Sequence, residues 1–456
     1  MELPIKKNKI LYGVALSLLL FASFECFWQI EDLNDLSIPI LFFLIAVLSV
    51  WGLFFGKEGN TLLLNTSFCL FYYFFFSICP IIQFKNKTVF QYSAPIPNEM
   101  YRHAGGVLLL VLIGYLLVYK IGSRYLIKCI HKITVPKIER RLPLWFCYIC
   151  TGLAILLYFY LLDFNWHLLL FRPYAIDLKA NTNFGLIGYS LFNILKLVPF
   201  VVFLLYQWQS KVFTKHSVVL LLFLLVTCFP TALSRASIAI IYMPVLLILV
   251  PKIGEKYNYL VVYLIGVLMI FPISNSFRLW SEGVFYFAFE SFNSGDFDAF
   301  QNFALLLEAS IVTEGRQLLG SILFFVPETI WIDRPIGSGA MLAEQLGFKH
   351  TNIAMPFFGE GFVNFGYFGI LLFLLIITFF NVILDTLFLE KRLTTFWKYI
   401  FYSFLGIEFI LMRGDLWNSI KIISSFVLAY FVVMIFYYLI TNLKAVSVSK
   451  NLIVKK

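Results

Sequence analysis

Charge is what this sequence has least of. Asp, Glu, Lys and Arg make up 13% of its 456 residues, where a soluble domain carries about a quarter. That excludes an ordinary soluble enzyme or carrier. Cysteine is sparse and odd in number, with seven residues (Cys26, Cys69, Cys79, Cys129, Cys147, Cys150 and Cys228) mostly inside apolar runs, so a disulfide framework is not expected. Cys147 and Cys150 have the spacing of a redox motif, but no second pair accompanies them and they open an apolar run, which reads as packing. Histidine is scarcer still, with five scattered residues. Neither a metal set nor a cofactor motif is expected, although Asp296 and Asp298 stand two residues apart. The first half does not recur in the second, as it does in many carriers.

Hydrophobic residues fill the space instead. They reach 61%, with 53 Phe, 25 Tyr and 9 Trp. A helix needs about 20 apolar residues to cross a hydrocarbon core of about 30 Å, and such stretches use most of the chain. The expected fold is all-α: a polytopic membrane protein with about twelve spans, at 10–28, 37–56, 61–82, 104–119, 142–162, 186–206, 217–231, 236–250, 258–274, 366–388, 399–412 and 420–441. The first is expected to be retained, because it is too long for a signal-peptide core. The net charge of +10 would suggest nucleic acid in a soluble chain, but no such motif is present and none is expected as a partner. With the N-terminus inside, 22 Lys and Arg fall on inner segments and 12 on outer ones, with Lys196 in a span. This is the positive-inside pattern, and it puts both termini in the cytoplasm.

Three regions result: a membrane bundle over 1–274, an outer loop over 275–365, and a membrane segment with a cytoplasmic tail over 366–456. The loop is long, rich in aromatics and built like structure, and such loops carry function. Within it, apolar residues from Asp296 to Ile311 recur at helical spacing, predicting an amphipathic helix that lies on the bilayer or folds over the spans.

Topology asks only for positive charge inside, yet seven of the 11 Arg fall outside: Arg102, Arg172, Arg235, Arg278, Arg316, Arg334 and Arg413. Guanidinium forks grip phosphate bidentately and are weakly hydrated, which suits a site near lipid headgroups. Structural pairing with outer acids is the plain alternative. Ser234-Arg235 sits between two short spans, where a lone Arg is costly without a partner. Arg278 follows the polar run Ser274-Asn275-Ser276. Arg334 lies in a loop ending Gly337-Ser338-Gly339, whose glycines would let backbone N–H groups approach an anion. Glu360, between Gly359 and Gly361 and beside Phe357 and Phe358, is a candidate base or a structural acid. His350 and Asp333 are further candidates. Arg413-Gly414-Asp415 reads as a chance tripeptide, although Arg413 fits the anion set. Lys196 and Glu408, both within spans, fit an ion pair.

Several of these stretches resemble the Wzy-type O-antigen polymerases, which polymerise oligosaccharide repeat units in bacterial envelopes. The likeness lies in Gly295-Asp296-Phe297-Asp298, in Pro327 to Pro335, in Gly359-Glu360 with Asn364-Phe365-Gly366, and in Ser234-Arg235 between two spans. No Arg here is followed by Gly at the ten-residue spacing seen in some members. The resemblance implies a metal-independent, inverting glycosyltransferase in the inner membrane, with its site facing the periplasm. It would pass a growing glycan from undecaprenyl diphosphate to the non-reducing end of a fresh lipid-linked repeat unit, with a chain-length regulator as partner. Arg235, Arg278, Arg334, Arg316 and Arg413 would bind diphosphate, and Glu360, His350 or Asp333 would serve as base. An O-antigen ligase and a polytopic transporter or flippase are the competing readings.

Overall fold

The computed structural model describes residues 3–28, 36–54, 61–90, 95–130, 142–165, 191–267, 292, 295–327 and 329–453. Helices dominate: α1 Leu3–Phe27, α2 Ser37–Phe54, α3 Leu64–Lys85, α4 Asn98–Cys129, α5 Leu144–Leu161, α6 Leu191–Ser210, α7 Lys215–Thr227, α8 Arg235–Leu249, α9 Lys256–Ile265, α10 Ala299–Ala309, α11 Arg316–Ile322, α12 Ser338–Gln345, α13 Phe357–Leu389, α14 Thr395–Arg413 and α15 Leu416–Ile453. Among the described residues there is no β-ladder beyond a single bridge between Thr61 and Glu255.

Among the described residues, seven helices are long and apolar enough to cross a membrane: α2, α3, α4, α5, α6, α13 and the Leu416–Ile440 part of α15. This confirms an all-α protein of membrane type but corrects the expected twelve spans. The difference has physical causes. The runs at 217–231 and 236–250 become helices of 13 and 15 residues, which reach only about 20 Å. The apolar part of α1 shrinks to Gly13–Phe27. The stretch at 399–412 lies in α14 with Lys398, Glu408 and Arg413, and much of 258–274 falls outside the described residues.

The chain forms two compact units. The first comprises 1–134, 250–392 and 404–420. Its centre is α3, whose helix passes through a π-turn at Phe74–Ile78. Nearly all of α3 is buried, because its aromatic residues cover every face: Phe68 stacks on Tyr115 at 3.5 Å, and Phe71 meets Phe409 edge to face at 5.9 Å. A helix this apolar all round has to be enclosed. No residue of its own caps it. Instead the Asp385 carboxylate, on α13, accepts from the backbone N–H groups of Leu64 (2.8 Å) and Asn65 (3.0 Å), and from Tyr119 Oη (2.8 Å).

The second unit comprises 135–249, 393–403 and 421–456. Its core joins Phe146, Phe200, Phe203, Leu220, Leu224 and Ile241. Cys147 and Cys150 are buried there as free thiols. Ser234 caps α8 by accepting from Ser237 N–H at 3.1 Å.

The helix predicted over 296–311 exists as a 3₁₀ turn at Gly295–Phe297 followed by α10, but it is not a surface helix. Every residue from Ala299 to Leu307 is buried. Its polar positions are satisfied internally: Gln301 donates to Gln83 Oε1 and Thr88 C=O, and Asn302 to Asp298 and Ala354 C=O. The periodicity marked a helix correctly. It did not show that partners existed for the polar side.

Candidate functional site

A break in α13 organises the site. Phe365 (φ −143°, ψ 23°) and Gly366 (φ 62°, ψ −148°) leave helical geometry and separate a short stub, 357–364, from the long apolar span. The second conformation is open to glycine and strained for other residues. Gly361 and Gly369 allow the two parts to touch: a Cβ on Gly361 would stand 2.6 Å from the Gly369 carbonyl oxygen.

Polar side chains on the stub close helices elsewhere. The first turns of a helix have N–H groups with no internal partner, and acids are favoured there. Asn364 Oδ1 accepts from Leu318 N–H in the first turn of α11 (2.7 Å), while its Nδ2 donates to Glu360 C=O (2.8 Å). The Thr313 and Gly315 N–H groups bind Val363 and Asn364 carbonyls at 2.7 and 2.9 Å. Glu360, only 1% exposed, accepts from Leu416 N–H (2.8 Å) at the start of α15 and from Ser338 Oγ (2.7 Å) at the start of α12.

Beside it lies an acid that sequence reading passed over. Asp415 precedes α15, accepts weakly from Asn418 N–H (3.4 Å), and takes the Gly339 N–H at 3.0 Å. A Cβ on Gly337 would collide with this carboxylate. The glycine loop around 337–339 therefore does present an N–H to an anion, and that anion is the chain's own Asp415. This corrects the expectation of an open ligand nest. Burial is the main force holding the Asp415 carboxyl above its ordinary value, against the backbone N–H bonds that favour its charge. The tripeptide Arg413-Gly414-Asp415 accordingly has two residues at work here.

Three of the five proposed phosphate binders converge on this region of the first unit. Arg316, exposed, donates through Nη2 to Asp333 C=O at 2.7 Å. Arg334, half-buried, donates through Nη1 to Val326 C=O at 2.7 Å and stacks on the Trp417 ring at 4.8 Å. Trp417 follows directly on Leu416, which Glu360 holds. Arg413 donates to Asp296 C=O (2.7 Å) and faces Asp298 at 3.5 Å. Burial raises the Asp298 carboxyl above its usual range, opposed by Arg413 and by bonds from Ala354 and Asn302.

Arg278 lies outside the described residues. Arg235 opens α8, in the second unit. His350 is exposed in a loop, and Asp333 is exposed next to Arg334. Glu408 is paired with Asn381 Nδ2 (2.6 Å) inside the first unit, while Lys196 lies over Phe192 in the second. Asp415 and Trp417 escaped sequence reading as site residues, and Asp298 entered it only as part of the Gly295–Asp298 motif. The first two had one signal, a position within four residues of Arg413 just before an apolar run.

No protein-family model, curated protein or solved structure matches this chain.

Proposed function

We propose that this protein is a membrane glycosyltransferase of the O-antigen polymerase kind, acting on lipid-diphosphate-linked oligosaccharide. The observation that carries the reading is the gathering of Arg316 and Arg334 beside exposed Asp333. Carbonyl oxygens and an indole face orient these guanidinium groups, and a guanidinium is a planar fork of five N–H donors suited to a diphosphate.

In this reading the acceptor hydroxyl attacks the anomeric carbon of the donor glycan from the side opposite its diphosphate. The carbon–oxygen bond to the diphosphate breaks as the new glycosidic bond forms, inverting the centre. The hydroxyl proton passes to the Asp333 carboxylate, and the charge growing on the departing diphosphate is held by Arg316 and Arg334. Donors already aimed at developing charge are the strongest lever such a site has. Glu360 has a different part. Buried and engaged at both oxygens, it fixes Leu416 and hence Trp417, the platform for Arg334. The substrate lipid would be undecaprenyl diphosphate, with the site on the periplasmic side of the inner membrane and a chain-length regulator as partner.

Deletion of the gene tests this directly. The expected outcome is surface lipopolysaccharide capped by a single repeat unit, with no ladder. Core carrying no repeat at all would transfer the argument to a ligase or flippase, and unchanged ladders would end the polymerase reading.

A further inference from the structure

Two buried acids of the first unit lie within reach of each other's charge, and their surroundings differ. Asp385 on α13 accepts from three donors at 2.8–3.0 Å, the Leu64 and Asn65 N–H groups and Tyr119 Oη. Glu408 on α14 is 2% exposed, and its Oε1 accepts from Asn381 Nδ2 at 2.6 Å. The other carboxyl oxygen, Oε2, is buried with no hydrogen-bond partner. So is Oδ1 of Asn381, a fully buried side chain in the long apolar part of α13. Two side chains that already meet therefore each carry one bare acceptor. The titratable groups facing Glu408 are Asp385, Tyr115 of α4 and Tyr259 of α9, and among the described residues no cation does. Leu405 and Met412, which share its face of α14, are fully buried as well. A carboxylate here would be a second negative charge near Asp385 with nothing to offset it, which is costly in an apolar interior.

We propose that Glu408 and Asn381 form a proton-binding site, in which the proton sits on the Glu408 carboxyl and is directed at the Asn381 amide oxygen. A neutral carboxyl has one O–H donor, and that donor is what the two bare oxygens lack. Turning the amide over leads to the same answer. Its oxygen would then stand 2.6 Å from Glu408 Oε1, a separation between two oxygens that needs a hydrogen between them. The bond from Asn381 to Tyr115 Oη (3.0 Å) survives either way, because a phenol donates as readily as it accepts. Hard metal cations take shells of oxygens, whereas Glu408 meets an N–H donor. The site ties α14 to the spanning helix α13, so taking up or releasing the proton acts on that contact. The inference is independent of the transferase reading, since it uses none of the residues placed there.

The test uses the full chain in lipid vesicles. Infrared difference spectra between the wild type and Glu408→Gln at neutral pH should contain the C=O stretch of an un-ionised carboxyl, lost in the variant and displaced in heavy water. The paired bands of a carboxylate in its place would overturn the proposal. Glu408→Gln has the shape of the neutral acid, so its unfolding temperature should match that of the wild type. A second measurement needs no variant. Dicyclohexylcarbodiimide is an apolar reagent that adds a protonated carboxyl across its C=N bond, after which the acyl group migrates to nitrogen and nothing is released. It should modify Glu408 in the wild type, as read by mass spectrometry, and leave the exposed Glu308 untouched. The modification should be lost as the pH is raised, and it should be the same in sodium and choline salts. Protection by sodium would mark a metal-cation site, and labelling of Glu308 without Glu408 would mark an ionised carboxyl at the site. Either result would overturn the proposal.

Discussion

Two carbonyl oxygens and an indole face hold Arg334 with its guanidinium plane fixed. Lysine offers a compact ammonium in place of a planar fork, so it can neither stack in the same way nor present aligned donors. Arg334→Lys is expected to lower polymerisation in vitro by about ten- to a hundredfold, the cost of one charge-assisted hydrogen bond. The assay is extension of a purified lipid-linked repeat unit at matched protein level, and wild-type ladders would remove Arg334 from the site. Asp415 and Asp298 lead to a pH prediction. Both carboxyls are raised above the value of 3.8 that they would regain on unfolding. Across the window between that value and the raised one, the folded chain holds more protons than the unfolded chain. Stability therefore falls as pH rises through the window and levels off above it. Asp415→Asn should flatten that slope in thermal unfolding of detergent-solubilised protein across the acid range. A slope equal to that of the wild type, or opposite in sign, would count against the buried carboxyl as its source.

At the scale of the element, the broken helix α13 is the feature on which the site depends. Gly361 and Gly369 place two backbones in contact, and a methyl on Gly369 would overlap the Gly361 carbonyl. Gly369→Ala is expected to cost about 1–3 kcal/mol through overpacking, read as a lower unfolding temperature. Activity should fall further than stability, because the stub carries Glu360 and Asn364. A variant with unchanged stability and activity would show that the stub is not held by this contact. How much of this element was readable beforehand differs residue by residue. Glu360 between glycines, and Asn364-Phe365-Gly366 before an apolar run, were visible as motifs, and the geometry gives them one locus. That their carboxylate and amide would close helices beginning at Leu416 and Arg316 was not visible, because a cap supplied from a distant segment leaves no local pattern. Asp298 shows the same limit: its partners Ala354 and Arg413 are brought to it only by folding. Periodicity located α10 but could not foresee that Gln301 and Asn302 would find partners inside.

For the whole molecule, hydropathy made the membrane class legible at once, while the number of spans was not. An apolar run states only that burial is favourable, and lipid and protein satisfy it equally. That is why Lys215–Thr227 and Ser237–Leu249 looked like spans but are too short to be among the seven. Sidedness is open to direct measurement. Reporters fused after residue 345 should read as periplasmic, and those after 395 as cytoplasmic. An inside reading at 345 would place Arg334 and Asp333 on the wrong face for a periplasmic lipid-linked glycan.

The carboxylate of Asp385 has a consequence for how this chain is made. It closes the start of α3 from 321 residues further along the sequence. During vectorial synthesis α3 leaves the ribosome long before α13 exists, and its leading N–H groups then face the translocon or the lipid with no partner. Unpaired amides in hydrocarbon are costly, so the central helix of the first unit cannot settle until the second half of the chain has followed. Nascent chains halted before residue 357 should therefore be held by insertion factors and cleared by membrane proteases, and those halted after 389 should escape.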